Sequence, residues 1–150
     1  MVGYYLSANH TVGAGISESV LQYFAADGNA TTTYGSSLFT FSTTSGGTIT
    51  NTSGRSLNVT AYQNITWDTT ININQKLSGL VLDNTLLYAY GIAGNAILSS
   101  YGSNSFVFPA GSVLKCWARN ETAFPLDIVA AFAPIGAYTL LSRVQLVVQN

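Results

Sequence analysis

An alternation of apolar and polar side chains runs through residues 48–68 on both sides of a turn at Thr52-Ser53-Gly54. The apolar positions after this turn are Leu57, Val59, Ala61, Ile65 and Trp67. The positions between them are Asn58, Thr60, Tyr62, Asn64 and Thr66. A period of two is that of a half-buried β-strand, because successive side chains of a strand point to opposite faces. The segment therefore predicts a strand whose apolar face, including Trp67, lies in a core.

Short runs of this kind recur along the chain and are separated by turn signals rich in Gly, Pro, Asn and Asp, among them residues 83–84, 102–104 and 109–111. The predicted strands are residues 37–42, 48–51, 56–67, 76–82, 86–90, 96–99, 105–108, 112–119, 126–133 and 139–148. Residues 17–26 favour a strand, although Ser17 in a capping position leaves a helix open. Many short strands with Gly-rich turns predict an all-β chain folded as an antiparallel β-sandwich.

The last predicted strand alternates as regularly as the first. Val144, Leu146 and Val148 are expected in the core, and the residues expected to face solvent or a second copy are Arg143, Gln145 and Gln149. A terminal strand of this hydrophobicity is expected to be paired within a sheet, because a free apolar edge promotes aggregation.

Charge is scarce, at 7% of residues against roughly a quarter in typical soluble proteins. The net charge is −1 and the five cations are scattered, at Arg55, Lys76, Lys115, Arg119 and Arg143. Nucleic-acid binding requires clustered Lys and Arg, so no nucleic-acid partner is expected. Residues 1–16 lack the pattern of a signal peptide, and the apolar runs are too short to insert into a membrane. Low net charge suits a surface that assembles with copies of itself.

Catalytic constellations are not apparent. His10 is the single histidine and would be the general base of a triad, and the acidic residues are Glu18, Asp27, Asp68, Asp83, Glu121 and Asp127. Asp27 and Asp83 lie in turn sequences, where carboxylates cap backbone N–H groups. Cys116, the single cysteine, is expected to be a packed strand thiol. We therefore expect a protein that is not an enzyme and has no cofactor and no metal, with a small hydrolase as a minor alternative.

Aromatic residues are abundant, with nine Tyr, seven Phe and two Trp. Most are expected in the core, but Tyr is also enriched at protein interfaces. The residues predicted to line an interface between copies of the chain are Tyr88, Tyr90, Phe106, Phe132 and Tyr138. A second set with amide and aromatic side chains could instead hold a sugar: Tyr62, Asn64, Tyr101 and Asn104.

Asn-x-Ser/Thr sequons occur at six positions, namely Asn9, Asn29, Asn51, Asn58, Asn64 and Asn120. Asn-rich strand faces account for them without glycosylation.

Four segments resemble strands of the jelly roll in the tumour-necrosis-factor and C1q-like superfamily. They are residues 37–41 (SLFTF), 49–59 (ITNTSGRSLNV), 106–114 (FVFPAGSVL) and 142–148 (SRVQLVV). The resemblance implies a single jelly-roll domain over residues 1–150, with residues 1–15 as an extended N-terminal arm. Members of this superfamily are usually homotrimers, and those carried by large DNA viruses are similar to capsid spike, fibre-head or cap proteins.

The expected function is that of a non-enzymatic viral structural protein. It would be a trimeric spike, cap or minor capsid component at the virion surface, with itself and other capsid proteins as partners. The alternative is a carbohydrate- or receptor-binding head domain that recognises a host glycan or receptor.

Overall fold

The computed structural model describes residues 2–6, 10–12, 30–34, 37–42, 48–67, 76–92, 98–120, 126–128, 131–132 and 140–149. Every regular element in these ranges is a β-strand, and the strand pairs are antiparallel. The strands are β1 (Val2–Leu6), β2 (His10–Val12), β3 (Ala30–Tyr34), β4 (Phe39–Ser42), β5 (Thr48–Asn51), β6 (Leu57–Trp67), β7 (Lys76–Leu82), β8 (Thr85–Ile92), β9 (Leu98–Phe108), β10 (Val113–Asn120), β11 (Leu126–Ile128), β12 (Ala131–Phe132), β13 (Leu140–Leu141) and β14 (Arg143–Val148).

Within these ranges the strands form two large sheets. The first sheet has seven strands, and six of them follow the order β2-β11-β6-β14-β1-β3. The seventh, β9, pairs with the edge of β6 opposite to the one that β11 and β14 share. The second sheet has five strands, in the order β4-β5-β10-β7-β8, and β12 pairs with β13 separately. The chain crosses from one sheet to the other after β3, β5, β6, β8, β9 and β10. Repeated crossing between two packed antiparallel sheets is the connectivity of a jelly roll, so the predicted fold class is confirmed.

Strand β6 organises the first sheet. Its eleven residues pair with β9 over their whole length, from Leu57 opposite Phe108 to Trp67 opposite Leu98. The other edge of β6 is shared between β14, which pairs with residues 59–64, and β11, which pairs at Trp67. The Thr66 N–H lies between these two partners and donates to the buried Ser142 hydroxyl at 3.0 Å. A side chain thus satisfies the backbone group that the ladder leaves open.

The core lies between the two sheets and contains the predicted face of β6. Its buried members are Phe39, Ile49, Leu57, Val59, Ala61, Ile65, Trp67, Leu80, Phe108, Leu114, Cys116, Val144 and Leu146. Phe39 of the second sheet stacks on Phe108 of the first, with ring centroids 5.8 Å apart. Val148 is partly buried against the same cluster, so the predicted core face of the last strand is confirmed.

A polar pair crosses the core. Gln63 lies on the apolar face of β6 and is 2% exposed, and its amide donates to the Cys116 thiol of β10 at 2.8 Å. Burial raises the pKa of Cys116 well above that of an exposed thiol, although the hydrogen bond from Gln63 lowers it in part. Cys116 is therefore a packed, protonated thiol, as its sequence setting indicated.

Asn51 joins two segments that are far apart in sequence. Its backbone N–H donates to the Ser112 carbonyl at 3.1 Å, and its carbonyl accepts the Gly111 N–H at 2.8 Å. Its side-chain amide nitrogen lies 2.7 Å from the Phe108 carbonyl, 3.0 Å from that of Pro109 and 2.9 Å from that of Arg55. The segments 49–59 and 106–114, which carried the family resemblance, are therefore joined by this side chain in addition to their strand pairing.

The side-chain oxygen of Asn51 orders the loop between β5 and β6. The Asn51 Oδ1 atom accepts the Ser53 N–H at 3.0 Å and the Ser53 hydroxyl at 2.7 Å. Gly54 follows at φ 76°, a left-handed conformation that glycine adopts without steric cost. The predicted turn at residues 52–54 is thus held by the last residue of β5.

The turn between β7 and β8 also follows its sequence. Asp83 and Asn84 both have positive φ, at 47° and 70°, as a two-residue type I′ hairpin requires. The Asp83 carboxylate accepts the Val113 N–H at 2.8 Å. The prediction that Asp83 caps a backbone group is confirmed.

Several predicted boundaries are wrong. Residues 102–104 were predicted as a turn but lie inside β9, because the unbroken β6 ladder pairs with them and a buried Gly102 sits opposite Gln63. Residues 126–133 and 139–148 each divide into two strands. Residues 1–15 were expected as an arm, but β1 pairs with both β14 and β3, and β2 pairs with β11. Residues 17–26 lie outside the described residues.

Trp67 offers a test of the core, because it is fully buried and its indole N–H has no hydrogen-bond partner among the described residues. Trp67→Ala is expected to cost about 3–5 kcal/mol of unfolding free energy, the range for emptying a large aromatic site. Trp67→Phe also removes an unsatisfied donor, which relieves about 1–3 kcal/mol and offsets much of the lost packing. Urea denaturation of both variants should therefore show a much smaller loss for Phe. Equal losses would contradict the unsatisfied indole.

Cys116 offers a second test, because the chain contains a single thiol. The buried, protonated thiol is expected to resist Ellman's reagent in the native protein and to react fully in denaturant, since the thiolate is the nucleophile. The measurement is the rate of colour release with and without guanidinium. Rapid reaction under native conditions would place Cys116 at the surface.

Candidate interaction surface

The face of the first sheet that points away from the core is called here the outer face. Its members on β6, β9 and β14 are Asn58, Thr60, Tyr62, Asn64, Ser103, Ser105, Val107, Gln145 and Val147. These nine side chains are all uncharged. The register also assigns Tyr101 and Arg143 to this set of positions, both opposite Asn64.

Exposure varies across the outer face. Asn58, Ser103 and Ser105 are exposed, and Val107 is 56% exposed. Thr60 is 9% exposed, and Thr66, which occupies the same side of β6, is fully buried. The polar side of β6 is therefore less solvated than its alternation predicted. The accessible part is concentrated where β6 begins and β9 ends.

A chain of hydrogen bonds joins three elements at that point. The Gln149 amide donates to the Thr60 hydroxyl at 2.9 Å, and that hydroxyl lies 2.8 Å from the Ser105 hydroxyl. The backbone N–H of Gln149 donates to the Asn58 carbonyl at 2.8 Å. Gln149 thereby fixes the chain after β14 to β6, and Thr60 links β6 to β9. These bonds give the surface a defined arrangement.

A shallow depression of about 350 Å³ opens beside this network. Its lining residues are Asn58, Val59, Ser105, Phe106, Val107 and Gln149. Three polar residues, Asn58, Ser105 and Gln149, therefore lie beside three apolar ones, Val59, Phe106 and Val107. None of the lining side chains is acidic or basic, so the depression suits an uncharged polar or apolar partner rather than acid–base chemistry. The sequence supplied these residues but not the register that brings them together.

The described residues that were predicted to line an interface belong to strands of different sheets. Tyr88 and Tyr90 belong to β8 of the second sheet, opposite Leu80 and Ser78 in register. Phe106 belongs to β9 of the first sheet, where it is half-buried with its ring centroid 5.9 Å from that of Phe108. Phe132 belongs to β12, and Tyr138 lies outside the described residues. Their role at an interface stays a prediction.

The residues considered for sugar binding are also divided. Tyr62 and Asn64 lie half-buried on the outer face, and Tyr101 is opposite Asn64 in register. Asn104 is opposite the core residue Ala61, so it occupies the other side of the sheet. The depression, rather than this set, concentrates the exposed amides.

The candidate catalytic residues are distributed over several elements. His10 in β2 is opposite Ile128, and Asp127 in β11 is opposite Thr11. Glu18, Asp27, Asp68 and Glu121 lie outside the described residues. Among the described residues, no three His, Cys, Asp or Glu side chains are grouped to hold a metal ion. Nor do those residues include a helix long and apolar enough to cross a bilayer.

Comparison with known proteins supports the architecture. No protein-family model matches the sequence, and no curated protein matches it. Among solved structures, the Eiger TNF of S. frugiperda superposes with a TM-score of 0.62 at 13% sequence identity, over 100% of this chain and 92% of that one. At such low identity the likeness concerns the fold. Together with the strand order described above, it shows that this chain has the jelly-roll fold of a tumour necrosis factor.

Proposed function

We propose that this protein is a non-enzymatic structural protein that forms a homotrimer through the outer face of its first sheet and is a component of a virus capsid surface. The observation that carries the proposal is the group of nine uncharged side chains on the outer face, with an exposed Val107 among amides and hydroxyls. The centres of protein interfaces are depleted of charged residues. A second copy can therefore cover these nine positions without burying an unpaired charge.

The trimeric state is supported by the fold. The superfamily that the sequence resembles consists mostly of homotrimers, and the matching structure is a TNF. The composition agrees, because 7% charged residues and a net charge of −1 produce little repulsion between copies. The ordered bonds of Thr60, Ser105 and Gln149 add rigidity, which reduces the entropy lost when such a face is buried.

The assignment to a virus particle is supported by the sequence resemblance to capsid spike, fibre-head and cap proteins. A chain with neutral polar side chains and many aromatics suits a coat component, whose surfaces contact neighbouring proteins. The other capsid proteins are then its further partners. A cryo-EM map of purified particles that contains a trimer of this jelly roll is the expected observation.

A second candidate is a head domain that binds a host glycan or receptor. The depression beside Val107 favours it, because Asn58, Ser105 and Gln149 offer neutral donors and acceptors to sugar hydroxyls. The two functions use the same face differently: a trimer buries it, whereas a glycan site must remain open.

Oligomeric state distinguishes these possibilities. Light scattering is expected to give about three times the chain mass of 15.9 kDa. Ser103→Lys introduces a charge at an exposed position of β9 on the outer face and is expected to produce a folded monomer. Thr40→Lys is the matched control, because Thr40 is exposed on β4 of the second sheet.

A monomeric wild type, or a Ser103→Lys variant that remains trimeric, would contradict assembly through the outer face. A glycan array with the wild type and Asn58→Ala then tests the second candidate. Binding that is lost in Asn58→Ala would assign the depression to a sugar.

A further inference from the structure

The sequon at Asn51-Thr52-Ser53 has a buried acceptor residue, a feature that does not depend on the proposed function. N-glycosylation attaches a bulky sugar to the Asn side-chain nitrogen, and a folded protein must accommodate that sugar at its surface. Asn51 has 0% of its surface exposed. Its side-chain nitrogen is the donor to three carbonyls, those of Arg55, Phe108 and Pro109, at 2.9, 2.7 and 3.0 Å.

A glycan at this nitrogen is incompatible with the fold. The amide has two hydrogens for three carbonyl acceptors, and glycosylation replaces one hydrogen with a bulky sugar. The remaining hydrogen cannot satisfy the buried Phe108 carbonyl together with the other two. The sugar would also have to occupy the space between β5 and the turn at Pro109, where Gly111 and Ser112 bond to the Asn51 backbone.

The order of synthesis leaves the sequon open for a long time. The Phe108 carbonyl that closes over Asn51 is 57 residues further along the chain. At about 5–20 residues per second, roughly 3–11 s pass between synthesis of the sequon and synthesis of that partner. During this interval residues 51–53 have no long-range partner from β9 or β10 and are accessible to an oligosaccharyltransferase.

We infer that this chain folds in a compartment where Asn-x-Ser/Thr sequons are not glycosylated, because a glycan at Asn51 blocks the union of the 49–59 and 106–114 segments. The modification is then a barrier to folding. Asn58, in the next sequon, is exposed on the outer face and serves as an internal comparison, since a glycan there leaves the core intact.

The experiment directs the full chain either to the cytoplasm or, with an added signal sequence, to the endoplasmic reticulum of cultured cells. Protease-resistant and protease-sensitive molecules are separated, and the occupancy of each sequon is measured by mass spectrometry. Cytoplasmic chains are expected to fold. In the endoplasmic reticulum, folded molecules are expected to carry no glycan at Asn51 whatever their occupancy at Asn58, and the sensitive molecules are expected to carry one.

Two comparisons isolate Asn51 from the other sequons. Ser53→Ala removes the Asn51 acceptor sequence but retains the backbone bond from residue 53 to Asn51 Oδ1, and it should raise the folded fraction in the endoplasmic reticulum. Asn58→Gln removes the exposed sequon and should not. Because Ser53→Ala also loses the hydroxyl bond to Asn51, the wild type is tested in parallel in cells that lack oligosaccharyltransferase, where its folded fraction should rise.

Folded molecules with a glycan at Asn51 would overturn the inference. So would a wild type that folds equally well with and without oligosaccharyltransferase, or one whose Asn51 stays unmodified in both fractions.

Discussion

The hydrogen bonds of Asn51 are the constraint on which the rest of the jelly roll depends. A jelly roll must bring strands from opposite sheets into register although they are distant in sequence, and such contacts are entropically costly to form. Asn51 closes that distance: its backbone pairs with Gly111 and Ser112, and its amide satisfies carbonyls at the end of β9 and in the loop before β6. With this corner in place, β6 and β9 enter the first sheet while β5 and β10 enter the second.

Period and turn chemistry made much of the fold predictable. The alternation in β6 predicted the burial of Ile65 and Trp67, and Asp83-Asn84 predicted a tight hairpin, because local residue types determine which face is apolar and which residues accept positive φ. The continuity of β9 was not predictable. Gly102 and its neighbours have a turn-like composition, and only pairing with β6 makes them a strand. The burial of Gln63 was equally unpredictable from the sequence, because its hydrogen-bond partner Cys116 comes from the other sheet.

The candidate surface, like the fold, was only partly predictable from the sequence. Uncharged composition indicated a surface for assembly, but the interface prediction selected aromatic residues that belong to different sheets. The surface that the structure presents depends on register: Asn58, Ser105 and Gln149 come from three separate segments and meet beside Val107.

The most direct measurement is the unfolding free energy of Asn51→Ala, compared with Asn58→Ala at equal protomer concentration. Truncation of Asn51 leaves the buried Phe108 carbonyl without its donor and Ser53 without its acceptor, at about 1–3 kcal/mol for each buried group. Asn51→Ala is therefore expected to lose at least about 2 kcal/mol out of a total of about 5–15 kcal/mol. Asn58→Ala, at an exposed position, should change stability by less than about 0.5 kcal/mol. A loss below about 1 kcal/mol for Asn51→Ala would contradict the central role of this side chain.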